Sequence, residues 1–200
     1  RWAQKGCTGW SHDGVLPYFR RSETWEEGAD DWRGGDGPLR VIRSRSPDPL
    51  FDDWIEAGKA AGHPFTADYN GATQEGFGRS QSTIINGRRC SAAVAYLRPA
   101  LARPNLTLEV EALAHRVVFE NGRAVGVAYA KGGRTVTARA NREVILSGGA
   151  FNSPQLLMLS GIGPADHLRD VGIEPVIDLP GVGANLQDHM AVMPTYERRE

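Results

Sequence analysis

Residues 144–157 constrain this chain more than any other stretch. Val144-Ile145-Leu146 is a short continuous apolar run, the pattern of a strand buried on both faces, and it leads straight into Ser147-Gly148-Gly149-Ala150-Phe151. Asn152 or Ser153 can cap a following helix, and Pro154 suits its first turn. Glycines at such a junction let backbone approach a ligand that a Cβ would hold away. The free amides of the helix start, with the positive end of its dipole, favour an anionic or electron-rich group. Strand, glycine turn and helix in this order are how α/β folds hold a nucleotide cofactor. The same order also serves as a plain tight connection, and no G-x-G-x-x-G fingerprint with its following acidic residue occurs in the chain.

The rest of the composition narrows the function classes. The chain has 200 residues, 40% of them hydrophobic and 24% charged, enough for one or two domains with a real core. Its net charge of −1 comes from 23 basic and 24 acidic residues mixed along the sequence. That leaves no basic face for nucleic acid. No apolar run approaches the roughly 20 residues that a membrane-spanning helix needs. Cys7 and Cys90 stand far apart and read as two ordinary thiols of a reducing compartment, which weakly favours the cytoplasm. The five histidines form no i, i+4 pair, so no metal site is expected. Arg1-Trp2-Ala3-Gln4 reads like mid-helix and Glu197-Arg198-Arg199-Glu200 carries no stop signal, so truncation at both ends is expected.

Three zones follow one another. In residues 1–27, Ser11 is a good N-cap and Val15, Leu16, Tyr18 and Phe19 give one apolar face, with Pro17 expected to shorten or kink the helix. Residues 28–104 are rich in Gly, Pro, Asp and Asn. There, 32–38 must be a loop, 39–42 a short strand, 49–61 a helix stopped by Gly62, 69–71 a turn and 91–101 a second helix. In residues 105–200, the runs 106–110, 113–119, 125–129 and 135–138 are β-rich. Asn121-Gly122 and Lys131-Gly132-Gly133 between them are hairpin signals, so an antiparallel meander is expected.

The spelling of residues 149–163, Gly-Ala-Phe-Asn-Ser-Pro-Gln-Leu-Leu-Met-Leu-Ser-Gly-Ile-Gly, resembles position by position the second signature of the glucose–methanol–choline oxidoreductases. Other stretches agree in the right order. They are Gly9-Trp10-Ser11 with Val15 to Phe19 and Ser22-Glu23, Gly37-Pro38-Leu39, Asp68-Tyr69-Asn70-Gly71, Arg88 through Pro99 to Asn105-Leu106, and Gly181-Val182-Gly183-Ala184-Asn185-Leu186-Gln187-Asp188-His189. The resemblance covers nearly the whole chain. Gly14 departs from it, standing where members usually carry an acidic residue, and weakens its helix by about 1 kcal/mol.

The resemblance implies a mixed α/β (α+β) fold. Residues 1–27 and 105–200 would belong to a Rossmann-like FAD-binding domain that includes the meander, and 28–104 to a substrate-binding domain. It implies FAD as cofactor and a small-molecule alcohol as substrate, oxidised by hydride transfer to the flavin. The electron acceptor, oxygen or a quinone, stays open. The family's catalytic histidine falls outside these 200 residues, so no catalytic residue is assigned and His189 is not that base. For cofactor binding the resemblance points to Ala114, at the position whose backbone meets the adenine, to Ser147, Gly148 and Gly149 at the strand end, and to Asn185 and Asp188. Asn185 and Asp188 equally suit loop fixing, since such side chains bond their own backbone. Two readings compete with the flavoenzyme: a nicotinamide dehydrogenase using residues 144–157 as its dinucleotide turn, and a non-catalytic flavin-binding module.

Overall fold

A computed structural model describes residues 2–193, and the chain divides into two units, Arg1–Leu108 and Glu109–Glu200. Arg1 and residues 194–200, with the expected open C-terminal end, lie outside the described residues. The first residues are not mid-helix: Ala3–Lys5 is a single 3-10 turn closed by Gly6 at φ 95°.

In the first unit, Ser11 caps α1 (His12–Ser22) by accepting the Gly14 amide at 3.1 Å. Pro17 lies inside one continuous helix. It removes only the backbone bond to Asp13, and the turns on either side keep theirs. The helix feeds β1 (Glu23–Trp25), which pairs in parallel with β2 (Leu39–Arg43), and β2 pairs antiparallel with β3 (Gln81–Ser82). Helix α2 (Leu50–Ala60) ends one residue before Ala61 and Gly62, the latter at φ 85°, close to the expected stop. A short hairpin, β4 (Ile84–Ile85) and β5 (Arg88–Arg89), precedes a π-helical stretch at Ala93–Leu97 that continues into α3 (Arg98–Ala100).

The 28–38 loop is tightly fixed. A Cβ on Gly34 would lie 1.9 Å from the Arg20 carbonyl oxygen, so only glycine admits this approach. Asp30 accepts the amides of Trp32 and Arg33, both at 2.7 Å. That turn drives Arg33, 1% exposed, into the unit. Its guanidinium donates to both Glu23 oxygens at 2.6 and 3.0 Å, to both Asp68 oxygens at 2.7 and 2.8 Å, and to Gln81 Oε1 at 3.0 Å. Its Cζ also lies 4.2 Å from the Trp25 ring centroid. Burial alone would lower the Arg33 pKa, but hydrogen bonds and charge from Glu23 and Asp68 reverse that and raise it. Burial likewise pushes the Asp68 carboxyl up, yet hydrogen bonds from Gln81, Arg33 and the Asn70 amide hold it below the ordinary carboxylate range.

In the second unit, β6 (Leu113–Glu120), β7 (Arg123–Lys131) and β8 (Arg134–Arg139) form the expected antiparallel meander. Its turns are Asn121-Gly122, at φ 51° and 76°, and Gly132-Gly133, at φ 55° and 74°. Helix α4 (Gly149–Leu159) follows, then β9 (Ile162–Gly163), α5 (Ala165–Asp170) and β10 (Ile177–Asp178), with β9 and β10 parallel. Leu168, fully buried at 0% exposed, fastens α5.

The mixed α/β class is what the chain adopts, with three local corrections. Residues 106–110 and 144–146 are irregular and not strands. Neither run has a partner strand among the described residues, and Ile145 is 76% exposed. A strand is stable only as part of a ladder. Helix α4 begins at Gly149 and not at Asn152 or Ser153, because the Ser153 hydroxyl accepts the Gly148 amide at 2.9 Å and closes the turn earlier. Pro154 therefore sits within the helix and not in its first turn.

Removing the guanidinium leaves two carboxylates facing each other in a half-buried site. Arg33→Met is expected to lose about 3–5 kcal/mol of unfolding free energy, as for other single deletions from buried ion pairs, read by denaturant titration of the protein from the full open reading frame. Because the folded Asp68 pKa is lowered, its contribution is complete above the unfolded value of about 3.9 and is lost as pH falls through the lowered value. Asp68→Asn should therefore flatten the acid limb of stability against pH. An unchanged acid limb would show that Asp68 gains nothing from these partners.

Candidate functional site

The sequence of the second unit builds a cleft beside its meander. The start of β6 supplies Leu113 and Ala114, and β7 supplies Val127. The irregular segment leading into α4 supplies Ile145, Leu146, Ser147 and Gly148. Helix α4 supplies Asn152, Ser153, Gln155, Leu156 and Leu159, and the cleft encloses about 440 Å³. The β6–β7 register shifts between Ala114 and Arg116, leaving His115 unpaired in a bulge at the cleft wall. Bulges of this kind re-aim a strand and interrupt its ladder.

Three of the six sequence-assigned residues, Ala114, Ser147 and Gly148, meet in this cleft. Gly149 adjoins it as the first residue of α4, in the left-handed region at φ 87°. A Cβ placed on Gly149 would meet nothing within 4 Å, so the backbone there is open. Asn185 and Asp188 are not among the lining residues; they lie in an exposed irregular segment. Asn185 holds φ 58° and Asp188 accepts the His189 amide at 2.8 Å, which is local loop geometry.

Sequence reasoning missed the other lining residues of α4. Their signal was present: Asn152, Gln155, Leu156 and Leu159 stand at i, i+3, i+4 and i+7, one helix face. It also missed Ser160, whose buried hydroxyl bonds the Val117 amide at 2.8 Å. No spacing rule pairs positions that far apart.

The lining contains no ionisable side chain. Such a cleft cannot exchange a proton at neutral pH through its own side chains. It offers apolar walls, amide and hydroxyl groups and the positive end of α4. These features fit a flat heterocycle with hydrogen-bonding edges, attached to an anionic group. Among the described residues no cluster of metal-ligating side chains occurs.

The chain matches the sequence profile of the family described as GMC oxidoreductase over residues 1–191. It belongs to the GMC oxidoreductase family. Among curated relatives, oxygen-dependent choline dehydrogenase of Rhizobium etli is 59% identical over 190 residues, which is 95% of this chain and 34% of that protein. Mitochondrial choline dehydrogenase of Mus musculus is 55% identical over 192 residues, 96% of this chain and 32% of that protein. The GMC chain thus spans about a third of the length of the curated relatives it matches. Among solved structures, pyridoxine 4-oxidase from Mesorbium loti aligns with a TM-score of 0.80 at 32% identity, covering 88% of this chain and 35% of that one. An FAD-dependent oxidoreductase from Chaetomium thermophilum aligns at 0.82 and 30% identity, covering 90% and 34%.

The left-handed backbone at the mouth of the GMC cleft yields a direct check. Gly149→Ala should cost about 1–2 kcal/mol, since a Cβ strains this φ, while Gly149→Asn, a residue that tolerates the region, should cost clearly less. Equal losses in urea denaturation would mean that something other than φ requires glycine there.

Proposed function

We propose that this chain is part of an FAD-dependent enzyme that oxidises an alcohol carbon, with choline the leading substrate. The carrying observation is an uncharged cleft, holding Ala114, Ser147 and Gly148, in a chain whose relatives at 55–59% identity across 95% or more of it are choline dehydrogenases. In this reading, residues 1–27 and 105–200 serve the FAD side and 28–104 the substrate side.

When bound, FAD supplies the hydride acceptor. Leu113 and Ala114 of β6 and Asn152 and Gln155 of α4 would hold the adenine. The small Ala114 side chain would leave the strand backbone accessible to the base. Ser147, Gly148 and Gly149 present backbone at the start of α4, where the helix dipole favours the anionic phosphates. The cleft's residues bind and orient but hold no proton, because none of them titrates near neutrality. The group that takes the hydroxyl proton is assigned to no residue of this cleft, and the 200 residues alone are inactive. A small alcohol is the substrate, and oxygen or a quinone the final electron acceptor.

The test is spectroscopic. Protein from the full open reading frame should purify yellow, and choline added without oxygen should bleach the flavin band. The same 200 residues expressed alone should show no choline-dependent bleaching. A colourless full-length protein would sink the flavoenzyme reading. Bleaching by another primary alcohol but not by choline would keep alcohol oxidation and discard choline.

A further inference from the structure

Ser160 follows the last residue of α4 and is 8% exposed. Its hydroxyl donates to the Leu156 carbonyl at 2.6 Å and accepts the Val117 amide at 2.8 Å. The first bond folds the side chain back onto the final turn of α4. The second reaches β6, the edge strand of its sheet, at a residue only 5% exposed. One oxygen therefore ties helix to strand.

The place of that tie matters. The β6–β7 register is broken between Ala114 and Arg116 and again between Val118 and Phe119. Val117 lies in the short regularly paired stretch between the two irregularities, three residues beyond Ala114 on the same strand. Just before the first break, Leu113 and Ala114 form one wall of the cleft; the facing wall comes from Asn152, Gln155 and Leu156 of α4. Leu156 thus both lines the cleft and accepts from Ser160. The chain of atoms from the Leu156 carbonyl through the Ser160 hydroxyl to the Val117 amide is a strut between the two walls. Ser160 itself is not a lining residue of this cleft; it lines a second cavity, with Val118 and Val176.

We propose that Ser160 is a positioning residue for the cofactor, setting the gap between β6 and α4 that receives the flat adenine. The inference rests on the reading of this cleft as the adenine half of the FAD site. A hydroxyl that only satisfied a buried amide would affect stability alone. A strut affects ligand affinity beyond its effect on stability, since a heterocycle binds poorly to walls that are not held at its thickness.

The experiment uses protein from the full open reading frame, stripped of flavin, with adenosine diphosphate as the calorimetric probe. Ser160→Ala should weaken its binding about tenfold, and Ser160→Thr, which keeps the hydroxyl, should restore the wild-type value. Leu168→Val is the control for stability alone, because Leu168 is buried in α5 outside the cleft lining; its affinity should stay at the wild-type value. Wild-type affinity in Ser160→Ala, or an equal loss in Leu168→Val, overturns the positioning role. If Ser160→Ala yields no folded protein, Ser160→Cys, a weaker donor and acceptor, is judged by the same two criteria. Wild-type protein that binds neither FAD nor adenosine diphosphate removes the reading of the cleft and the inference together. Wild-type binding with an unaffected Ser160→Ala removes the inference only.

Discussion

A guanidinium that gives up its water must recover hydrogen bonds from fixed partners, and in the first unit all three nitrogens of Arg33 do so, with residues drawn from three separate segments. Glu23 comes from β1, Asp68 from the turn closed by its carbonyl and the Gly71 amide, and Gln81 from β3. Trp25 lies beneath the planar cation at 4.2 Å. Arginine suits this place because its fork pairs with carboxylates two bonds at a time and stacks on an aromatic face, neither of which lysine does equally well. Secondary structure here is thin: β1 has three residues and β3 has two. Strands this short do not hold a sheet by their ladders alone. The side-chain network fixes their relative placement instead, and Gln81 extends it by donating to Asp68 at 2.6 Å and taking the Asn70 amide group at 2.9 Å.

That dependence explains which parts of the fold were legible in the sequence. The two meander turns were readable because Asn-Gly and Gly-Gly specify positive φ locally, and each turn carries its own instruction. Helix α2 was readable from its apolar face and its glycine stop. The Arg33 network was not, since its partners lie 10, 35 and 48 residues away and no local rule joins them. The loop at 32–38 was correctly read as a loop, but composition says nothing of what a loop delivers. Residues 144–146 mark the opposite limit. Their apolar spelling describes a strand with neighbours, and the described residues supply none, so Ile145 stays open to solvent.

The same distinction sorts the site residues. Ser147 and Gly148 could be read from the strand–glycine–helix order, because that order is contiguous and its chemistry is local. Ala114 lies more than thirty residues earlier and entered only through family resemblance; the geometry then brings it to the same cleft. Asn185 and Asp188 carry residue types that serve loops and ligands alike, and their bonds here are those of a loop. Type alone does not decide between such roles; only position does.

The cleft's lack of charge also limits what its sequence can tell about chemistry. A proton-transferring site announces itself by titratable groups whose surroundings shift them. Among the described residues the carboxylates with lowered pKa, Asp68 and Glu26, belong to the network of Arg33 and to that of Arg45 with the Arg43 amide. They hold structure and do not line the β6–α4 cleft. A binding cleft without titratable groups gives its ligand position and a shaped surface, and nothing that drives a reaction. Its specificity must then come from shape, from backbone edges and from the rigidity with which its walls are held. For a cleft walled on one side by a bulged edge strand, that rigidity cannot come from the sheet alone. It has to be carried across from the helix, and the buried Ser160 hydroxyl is the group placed to do it.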